Sequence, residues 1–567
     1  MRRSGADLVI DSLEALGVEV LFGIVSVHNL PILDALRRRE SIRFVTVRHE
    51  QAAVHAADAY ARVSGRLGVA LVSTGPGTAN AVPGLYEAAF ASSPVLLLTG
   101  QVDSAQYGRG IGFLHEAEQQ VPMLRTVARR VESVRRTDDI GDTVLRTAAD
   151  CLTGRPMPGA VEIPIDLQYG PATAAGPAAR PAVAPVAPAP RRLDQAAEAL
   201  RGGARPLIWA GGGVVRAGAG PALVALAEAL GAPVVTSLPG RGAIPEDHPL
   251  ALGPLSPFPE VAAVLADAEP LLAVGTRFTW FDTMNPPLRL PANTIHIDVD
   301  PAVIGRSQPA ALAVPGDAGL ALEGLLARLQ PPGSVDEPPP PAGTGVPFPP
   351  YSGKGTPVGG FADRAVAAGR AARAAGRQAI GADPAAIMEA IRASLPRPSA
   401  VVCDSTVPAY TWGNRLLPVY EPGSFVHPTG GAIGPGLPFA LGAALGRPGP
   451  AVLIAGDGGF MFHIAELATL AEQQLPVIAC VFDDGGFGVL RGVQDQHFRG
   501  RIGVDLHTPD FVRVAVGMGV PAARVDSAGA FAEAFAKALA AGGPALISVD
   551  MDGLEPIQGM GARRARR

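Results

Sequence analysis

The sequence predicts an α/β protein of three consecutive doubly wound parallel-sheet domains. Short β-rich runs alternate with helical patterns along most of the chain, as in strand–helix–strand units with parallel pairing. Two Pro-, Ala- and Gly-rich seams, at 170–190 and 330–355, divide this pattern into three blocks. A chain of 567 residues is also too long for one hydrophobic core. We therefore expect each block to form a domain with its own sheet.

In the first block, helical and strand-like patterns alternate. Apolar residues at helical spacing mark helices over Asp7–Leu16 and Gln51–Val63. Runs rich in β-branched or apolar residues predict strands at Ile42–Val47, Gly68–Val72 and Val95–Thr99.

The middle and last blocks follow the same plan. Strands are predicted at "PLIWA", "APVVTS", "PLLAVG" and "TIHIDVD", and then at "AVVCD", "AVLIAGDG", "VIACVF" and "ALISVDM". The expected domains span 1–170, 191–330 and 383–553, with a linker at 171–190, a linker or insert at 331–382 and a tail at 554–567.

Composition excludes several function classes. The net charge of −5 and pI near 6.1 give no basis for a nucleic-acid or membrane-surface partner. Acidic residues interrupt the apolar N-terminal run, so it does not read as a signal peptide, and the uncharged stretch 422–446 is too rich in Gly and Pro for a lipid-exposed helix. Three widely separated cysteines fit reduced thiols. A soluble cytoplasmic protein is expected.

The segment "AGDGGFMFHIAELATLAEQQLPVIACVFDDGGFG" carries the clearest chemistry. Gly-Asp-Gly follows a strand and opens a helix, where free backbone N–H groups favour phosphate. A strand–helix–strand crossover would bring Asp457 and Asp484 to one edge of a parallel sheet, where open α/β sheets bind ligands. Carboxylate oxygens suit Mg²⁺, with a backbone carbonyl near Gly486 as a third ligand. This predicts a magnesium–diphosphate site.

Gly456-Asp457-Gly458 through Asp484 resembles the signature of thiamine-diphosphate enzymes of the acetolactate synthase and benzoylformate decarboxylase group. That signature ends in two asparagines, where this chain has Asp483-Asp484. The resemblance covers nearly the whole chain and implies pyrimidine-binding, central and diphosphate-binding domains. It implies Mg²⁺ ligands at Asp457, Asp484 and Gly486. The cofactor contacts that it implies are Gly431, Ile433, Gly456, Asp457, Gly458, Gly459, Asp484, Gly486 and Phe487.

Glu50 lies between a predicted strand and a predicted helix in "VRHEQAA". Taken alone, it is an ordinary helix-start glutamate, which the helix dipole favours. The segment is similar to the one that holds the catalytic glutamate of the family. The resemblance implies that Glu50 binds a ring nitrogen of the aminopyrimidine and promotes proton transfer within the cofactor. It also implies that Gly431 accepts from the pyrimidine amine and that Ile433 lies under the cofactor.

Two histidines are candidate proton-transfer groups. His28 lies in "FGIVSVHNL", the place of a loop that faces the reacting centre in relatives, and His115 stands where acetolactate synthases have a glutamine. Imidazole exchanges protons near neutral pH, which an amide does not. A hydrogen-bonded surface histidine is the alternative interpretation of His28.

Two further properties follow from the resemblance. The middle block looks like the flavin-binding central domain of acetolactate synthases, so FAD is a candidate third cofactor, although "GGG" at 211–213 is a weak dinucleotide signal. The resemblance also implies a homodimer or homotetramer whose active sites are shared between subunits.

The residues leave several activities open. The first choice is decarboxylation of a 2-oxo acid with carboligation, as in acetolactate synthases. Alternatives are a non-ligating 2-oxo acid decarboxylase and a C–C lyase or hydrolase acting on a diketone or acyl-CoA. A catalytically silent regulatory or scaffold paralogue is the non-enzyme alternative, and a Rossmann oxidoreductase would rest on "GGG" alone.

Overall fold

The computed structural model describes residues 3–173, 183–283, 287–329 and 360–557. These residues form three six-stranded sheets, in which all named strand pairs are parallel, with helices between the strands. The predicted fold class is confirmed.

The first sheet has the strand order β2-β1-β3-β4-β6-β5. Its strands are β1 (Val20–Gly23), β2 (Arg43–Thr46), β3 (Gly68–Val72), β4 (Val95–Gln101), β5 (Arg130–Ser133) and β6 (Gly159–Pro164). The accompanying helices are α1 (Gly5–Ala15), α2 (Leu30–Arg37), α3 (Glu50–Ser64), α4 (Pro76–Ala91), α5 (Gln120–Leu124), α6 (Ile140–Leu152) and α7 (Ile165–Tyr169).

The second sheet has the order β12-β11-β10-β7-β8-β9, the arrangement of dinucleotide-binding folds. Its strands are β7 (Leu207–Ala210), β8 (Val234–Thr236), β9 (Ala251–Gly253), β10 (Leu271–Val274), β11 (Ile295–Asp298) and β12 (Leu312–Pro315). Its helices are α8 (Pro190–Arg201), α9 (Gly212–Arg216), α10 (Gly220–Leu230), α11 (Pro259–Ala266), α12 (Trp280–Thr283) and α13 (Ala318–Leu329).

The third sheet, β14-β13-β15-β16-β18-β17, repeats the topology of the first. Its strands are β13 (Ala400–Cys403), β14 (Phe425–Val426), β15 (Ala451–Gly456), β16 (Val477–Asp483), β17 (Ala522–Val525) and β18 (Ala545–Asp550). Its helices are α14 (Phe361–Ile380), α15 (Ala382–Ser394), α16 (Gly436–Gly446), α17 (Asp457–Phe460), α18 (Glu466–Gln473), α19 (Gly488–His497), α20 (Phe511–Gly517) and α21 (Ala528–Ala541).

The first and third domains share one hydrophobic core, which joins residues of α3 to residues of α16. The two helices pack so closely that a Cβ at Gly442 would lie 2.0 Å from the carbonyl oxygen of Ala56. Such contact demands glycine. The two domains predicted to bind the cofactor are therefore joined rigidly within one chain.

Part of the expected linker or insert at 331–382 is a regular helix. Residues 330–359 lie outside the described part, as do 174–182 of the first linker and 558–567 of the tail. Helix α14 buries Phe361, Ala365, Ala372 and Ile380 in a core shared by the central and last domains. One face of this helix is therefore packed.

Cys151, Cys403 and Cys480 are all buried and free of disulfides. Burial raises the pKa of Cys151 and of Cys403 to about 12, so both thiols stay protonated. Within the described ranges, no helix combines the length and the apolar character needed to cross a bilayer.

Candidate cofactor site

The carboxyl ends of β15 and β16 bring the predicted diphosphate residues together. The strands are parallel neighbours, with Gly456 in register with Phe482. Asp457 begins α17 directly after β15, and Asp484 follows the end of β16. A parallel crossover places both strand ends at one edge, as the sequence predicts.

Asp457 is buried to 1% exposure. Among the described residues, neither of its carboxylate oxygens has a hydrogen-bond partner of ordinary geometry, although the main chain of Gly458 and of Asp484 approaches them. Burial, together with the neighbouring charges of Asp484 and Asp483, raises the pKa of Asp457 to about 8. A divalent cation would satisfy both oxygens and offset the cost of the buried charge.

Asp484 is neutralised by a buried arginine that the sequence analysis missed. The Nη2 of Arg491 in α19 donates to Oδ1 of Asp484 at 2.7 Å and to its main-chain oxygen at 2.8 Å. The Nε of Arg491 lies 3.0 Å from Oδ1 of Asp505. Burial raises the pKa of Asp484 to about 6, and Arg491 opposes this rise. The carboxylate therefore does not face the site as an uncompensated charge.

Glycines after β16 let the chain fold tightly around the cavity. The loop is fixed by a hydrogen bond from the N–H of Phe487 to the carbonyl of Val504 (2.9 Å). Gly486 has a φ of +144°, and a Cβ there would lie 2.2 Å from that same carbonyl. A Cβ at Gly458 would lie 2.7 Å from the Phe487 ring. Side chains at these glycines would disrupt the loop.

A third aspartate organises the loop that contains Gly431 and Ile433. Asp404 follows strand β13 and is buried. Its oxygens accept the N–H groups of Gly434 and Gly436, each at 3.0 Å. Asp404 was not predicted from the sequence, although its place after "AVVC", at the end of a predicted strand, was a usable signal.

These segments enclose a cavity of about 260 Å³. Its lining contains seven of the nine predicted cofactor residues; it is formed by Ser405, Thr406, Val407, Tyr410, Gly431, Ile433, Gly456, Gly459, Asp484, Gly486, Phe487, Gly488, Val489 and Leu490. Asp457 and Gly458 lie beside it on α17. No described residue of the first domain lines the cavity. Glu50, His28 and His115 therefore do not line the cavity of their own chain.

Glu50 opens helix α3 in the first domain and is half-buried. The Nδ2 of Asn80 donates to Oε2 of Glu50 at 3.0 Å. A Cβ at Gly77 would lie 3.0 Å from Oε1, so a glycine there leaves room for the carboxyl group. Asn80 was not predicted from the sequence.

The two predicted histidines lie side by side in the first domain, with ring centroids 5.3 Å apart. Nδ1 of His115 is 3.3 Å from Oγ of Ser73, which is 2.6 Å from Oγ of Ser26. Burial lowers the pKa of His28, and the neighbouring His115 lowers it further. The Nδ1 of His28 is buried and has no hydrogen-bond partner among the described residues. The arrangement can exchange protons.

A second cavity, of about 300 Å³, lies between the first and central domains, where "GGG" opens α9. Three arginines and three aspartates line it: Arg155, Arg216, Arg277, Asp282, Asp298 and Asp317. Burial, together with neighbouring arginines, lowers the pKa of Arg216 and of Arg277 to about 10. The guanidinium groups can donate hydrogen bonds to an anionic group of a ligand.

Three domain families match the chain in order. They are the N-terminal TPP-binding domain (residues 3–123), the central domain (193–325) and the C-terminal TPP-binding domain (408–549) of thiamine pyrophosphate enzymes.

Curated relatives and solved structures agree with these matches. A probable acetolactate synthase large subunit from Methanocaldococcus jannaschii is 33% identical over 98% of this chain and 93% of its own. A probable 2-ketoarginine decarboxylase from Pseudomonas aeruginosa is 35% identical over 84% of this chain and 81% of its own.

A solved thiamine diphosphate-dependent 4-hydroxybenzoylformate decarboxylase from Rhodococcus jostii superposes with a TM-score of 0.79 at 25% identity, covering 97% of this chain and 99% of that one. The resemblance seen in the sequence is confirmed at the level of the group that contains acetolactate synthases and 2-oxo acid decarboxylases. The chain belongs to the thiamine pyrophosphate enzyme family.

Proposed function

We propose that the protein uses thiamine diphosphate and Mg²⁺ to cleave or form a C–C bond next to a carbonyl. The first choice is decarboxylation of a 2-oxo acid followed by carboligation. The observation that carries this proposal is the buried carboxylate of Asp457 beside a glycine-lined cavity; among the described residues, its oxygens have no hydrogen-bond partner of ordinary geometry. A magnesium diphosphate supplies the positive charge and the anionic oxygens that suit this setting.

The residues present fit the metal and the cofactor. Asp457, Asp484 and the carbonyl of Gly486 are the proposed Mg²⁺ ligands. Among the described residues, no group of three or more His, Cys, Asp or Glu side chains is arranged to hold a metal, so oxygens of the diphosphate would complete the shell. The glycines at 456, 458 and 459 leave the backbone accessible to phosphate.

When bound, thiamine diphosphate supplies a carbon nucleophile and accepts electrons as carbon dioxide leaves. In our proposal, Glu50 holds a proton at a pyrimidine nitrogen, and Asn80 orients its carboxyl group. The carbonyl of Gly431 accepts from the pyrimidine amine, and Ile433 packs below the cofactor. His28 and His115 transfer protons to and from substrate.

We propose a homodimer or homotetramer in which Glu50 of one chain serves the cofactor cavity of another. No first-domain residue that the structure describes lines the cavity, which supports this arrangement. Exposed apolar side chains that a second chain would cover lie near His28 and His115 and near the cavity; they include Val25, Val27, Ile111, Phe113, Leu114, Met461, Phe462 and Leu490.

The alternatives differ in how the reaction ends. Protonation in place of carboligation gives a simple decarboxylase, and the decarboxylase relatives favour that outcome. A diketone or acyl-CoA substrate would give a lyase or hydrolase. A silent paralogue has no need for both Glu50 and the unpartnered Asp457.

FAD remains a proposed third cofactor. The three arginines that line the cavity beside Gly212 and Gly213 support it. The guanidinium of Arg216 donates to the carbonyl of Ala91 at 2.9 Å, and that of Arg277 donates to the carbonyl of Phe90. Both cations therefore also bind the C-terminal end of α4. Flavin absorbance released from purified protein tests the assignment, and protein without flavin that gains none on incubation with FAD would exclude it.

Substrate screening tests the function. The protein loaded with thiamine diphosphate and Mg²⁺ is offered pyruvate, longer 2-oxo acids and aryl 2-oxo acids, with carbon dioxide and organic products measured. A 2-hydroxy ketone product supports carboligation, and an aldehyde supports simple decarboxylation. Glu50→Gln is the control for background reaction. Absence of turnover on every 2-oxo acid would contradict the proposal.

A further inference from the structure

Two buried glutamates outside the cofactor cavity connect the first and third domains. Glu87 lies in α4 of the first domain and Glu466 opens α18 of the third, with 0% and 1% of their surfaces exposed. Burying a carboxylate is costly unless it is paired and hydrogen-bonded. Each carboxylate accepts hydrogen bonds from backbone N–H groups of the opposite domain.

Glu466 holds the segment that leads to Glu50. Its Oε1 accepts the N–H of Arg48 at 2.8 Å, and the N–H of His49 also donates to the carboxylate. Oε2 accepts from the Thr469 hydroxyl at 2.6 Å, which fixes the orientation of the carboxylate. Helix α3 begins at the next residue, Glu50.

Glu87 holds the segment that leads to Gly431. Its Oε1 accepts the N–H of Thr429 at 2.6 Å, and its Oε2 accepts that of Gly430 at 3.0 Å. A Cβ at Gly430 would lie 2.8 Å from Oε2. The absence of a side chain at Gly430 therefore permits this contact with the carboxylate.

Helix α3 links the two arrangements. Glu50 is its first residue, and Arg62 lies near its end. The Nη2 of Arg62 is 3.2 Å from Oε1 of Glu87 and also pairs with Asp58, while its Nη1 donates to the carbonyl of His427 at 2.8 Å. The helix that starts with Glu50 thus ends at the loop that contains Gly431.

We propose that Glu466 and Glu87 are positioning residues for catalysis: Glu466 sets the backbone that presents Glu50, and Glu87 sets the backbone that presents Gly431. This inference rests on the proposed function, in which Glu50 and Gly431 contact the pyrimidine ring. Both acceptors bind main-chain N–H groups, so they fix the path of the chain. Apolar packing alone would join the domains without fixing that path.

Backbone hydrogen exchange in the full-length protein without cofactor tests the positioning directly. In Glu466→Gln and in Glu87→Gln, one carboxylate oxygen becomes an NH₂ group that cannot accept. We expect exchange to rise at least about tenfold at Arg48 and His49 in the first variant only, and at Thr429 and Gly430 in the second only. Glu533→Gln, on an exposed position of α21, is the matched control and changes neither segment.

The loaded enzyme gives the functional readout. Glu466→Gln is expected to lower kcat at least about tenfold while leaving the Kd for thiamine diphosphate unchanged. Glu87→Gln is expected to weaken cofactor binding, so that the Kd rises at least about tenfold. The reason is that the displaced carbonyl of Gly431 no longer accepts the hydrogen bond from the pyrimidine amine. If a Gln variant does not fold, the shorter carboxylates of Glu466→Asp and Glu87→Asp are expected to change exchange at the same sites.

The proposal would be overturned if hydrogen exchange in Glu466→Gln and Glu87→Gln were like that in Glu533→Gln. A uniform increase in exchange over the whole protein would also overturn it. Normal kcat and Kd with locally raised exchange would also overturn it. Failure of the proposed function would be a separate result. If the wild-type protein binds no thiamine diphosphate, the exchange differences between it and the variants can still be measured.

Discussion

The guanidinium of Arg491 binds both the carboxylate and the main-chain oxygen of Asp484, at 2.7 and 2.8 Å. Asp484 occupies the position where the resembled signature has an asparagine, and it would place an extra negative charge beside a diphosphate. Arg491 is fully buried and offsets that charge. The site thus retains the charge balance that an asparagine would give it.

Because Asp484 and Arg491 form an ion pair, removal of the arginine alone should destabilise the fold. In Arg491→Met, Asp484 is left partly buried near Asp457 without a cation, so the free energy of unfolding of the cofactor-free protein should fall by about 3–5 kcal/mol. Urea denaturation measures the loss.

The double variant Asp484→Asn with Arg491→Met is the control for this prediction. Because it removes the stranded charge together with the arginine, it should recover most of the stability lost in Arg491→Met. Equal losses in the single and double variants would show that Arg491 acts through packing or through Asp505 and not through Asp484.

Glu50→Gln separates cofactor binding from catalysis. Glutamine keeps the shape of the side chain but cannot hold the proton, so turnover should fall about 10²–10⁴-fold. Thiamine diphosphate affinity, measured by calorimetry, should change little. A variant with normal turnover would remove Glu50 from the mechanism.

His28→Asn probes the histidine pair. Burial and His115 hold the pKa of His28 below its usual 6.5, so the imidazole is neutral at pH 7 and protonates only in more acid solution. We expect the acid limb of the kcat/KM profile to lie below pH 6.5 in the wild type and to disappear in His28→Asn, with a lower rate at the plateau. An unchanged profile would assign the limb to another group.

The substitution Asp298→Asn is expected to change the free energy of unfolding by an amount that depends on pH. Burial raises the pKa of Asp298 from 3.8 to about 6, so the folded state binds the proton more tightly than the unfolded chain does. Its contribution to stability is therefore present in acid and lost as pH rises to above about 6.

The variant should gain up to about 3 kcal/mol relative to wild type between pH 4 and pH 8. Asparagine can still accept the N–H of Asp300, which lies 2.9 Å from Oδ1 of Asp298. Chemical denaturation at both pH values checks this, and a stability difference that is the same at both would contradict it.

The sequence allowed the fold to be predicted, and it placed Asp457 and Asp484 at one edge of the third sheet. Parallel crossovers force the carboxyl ends of adjacent strands to one edge, so the separation of Asp457 from Asp484 carried three-dimensional information. The alternation of short apolar runs with helical spacing identified the three sheets. Both inferences depend on local pattern and chain direction alone.

Other parts of the site depend on contacts that no local pattern encodes. Arg491 is one turn inside an ordinary helix, and its second partner, Asp505, comes from a separate loop. Glu87 and Glu466 have unremarkable surroundings in sequence, and their backbone partners lie in the other domain. The sequence did not show that α14 packs against the core, because alanine and arginine suit both a packed and a solvated helix.

Calorimetric titration of chelator-treated protein with thiamine diphosphate, with and without Mg²⁺, shows whether Asp457 anchors a magnesium diphosphate. We predict tight binding that requires Mg²⁺ and that is lost in Asp457→Asn, because this buried carboxylate is the proposed anchor of the metal. Binding that is equally tight without Mg²⁺, or that survives Asp457→Asn unchanged, would contradict the assignment of this edge as the magnesium–diphosphate site.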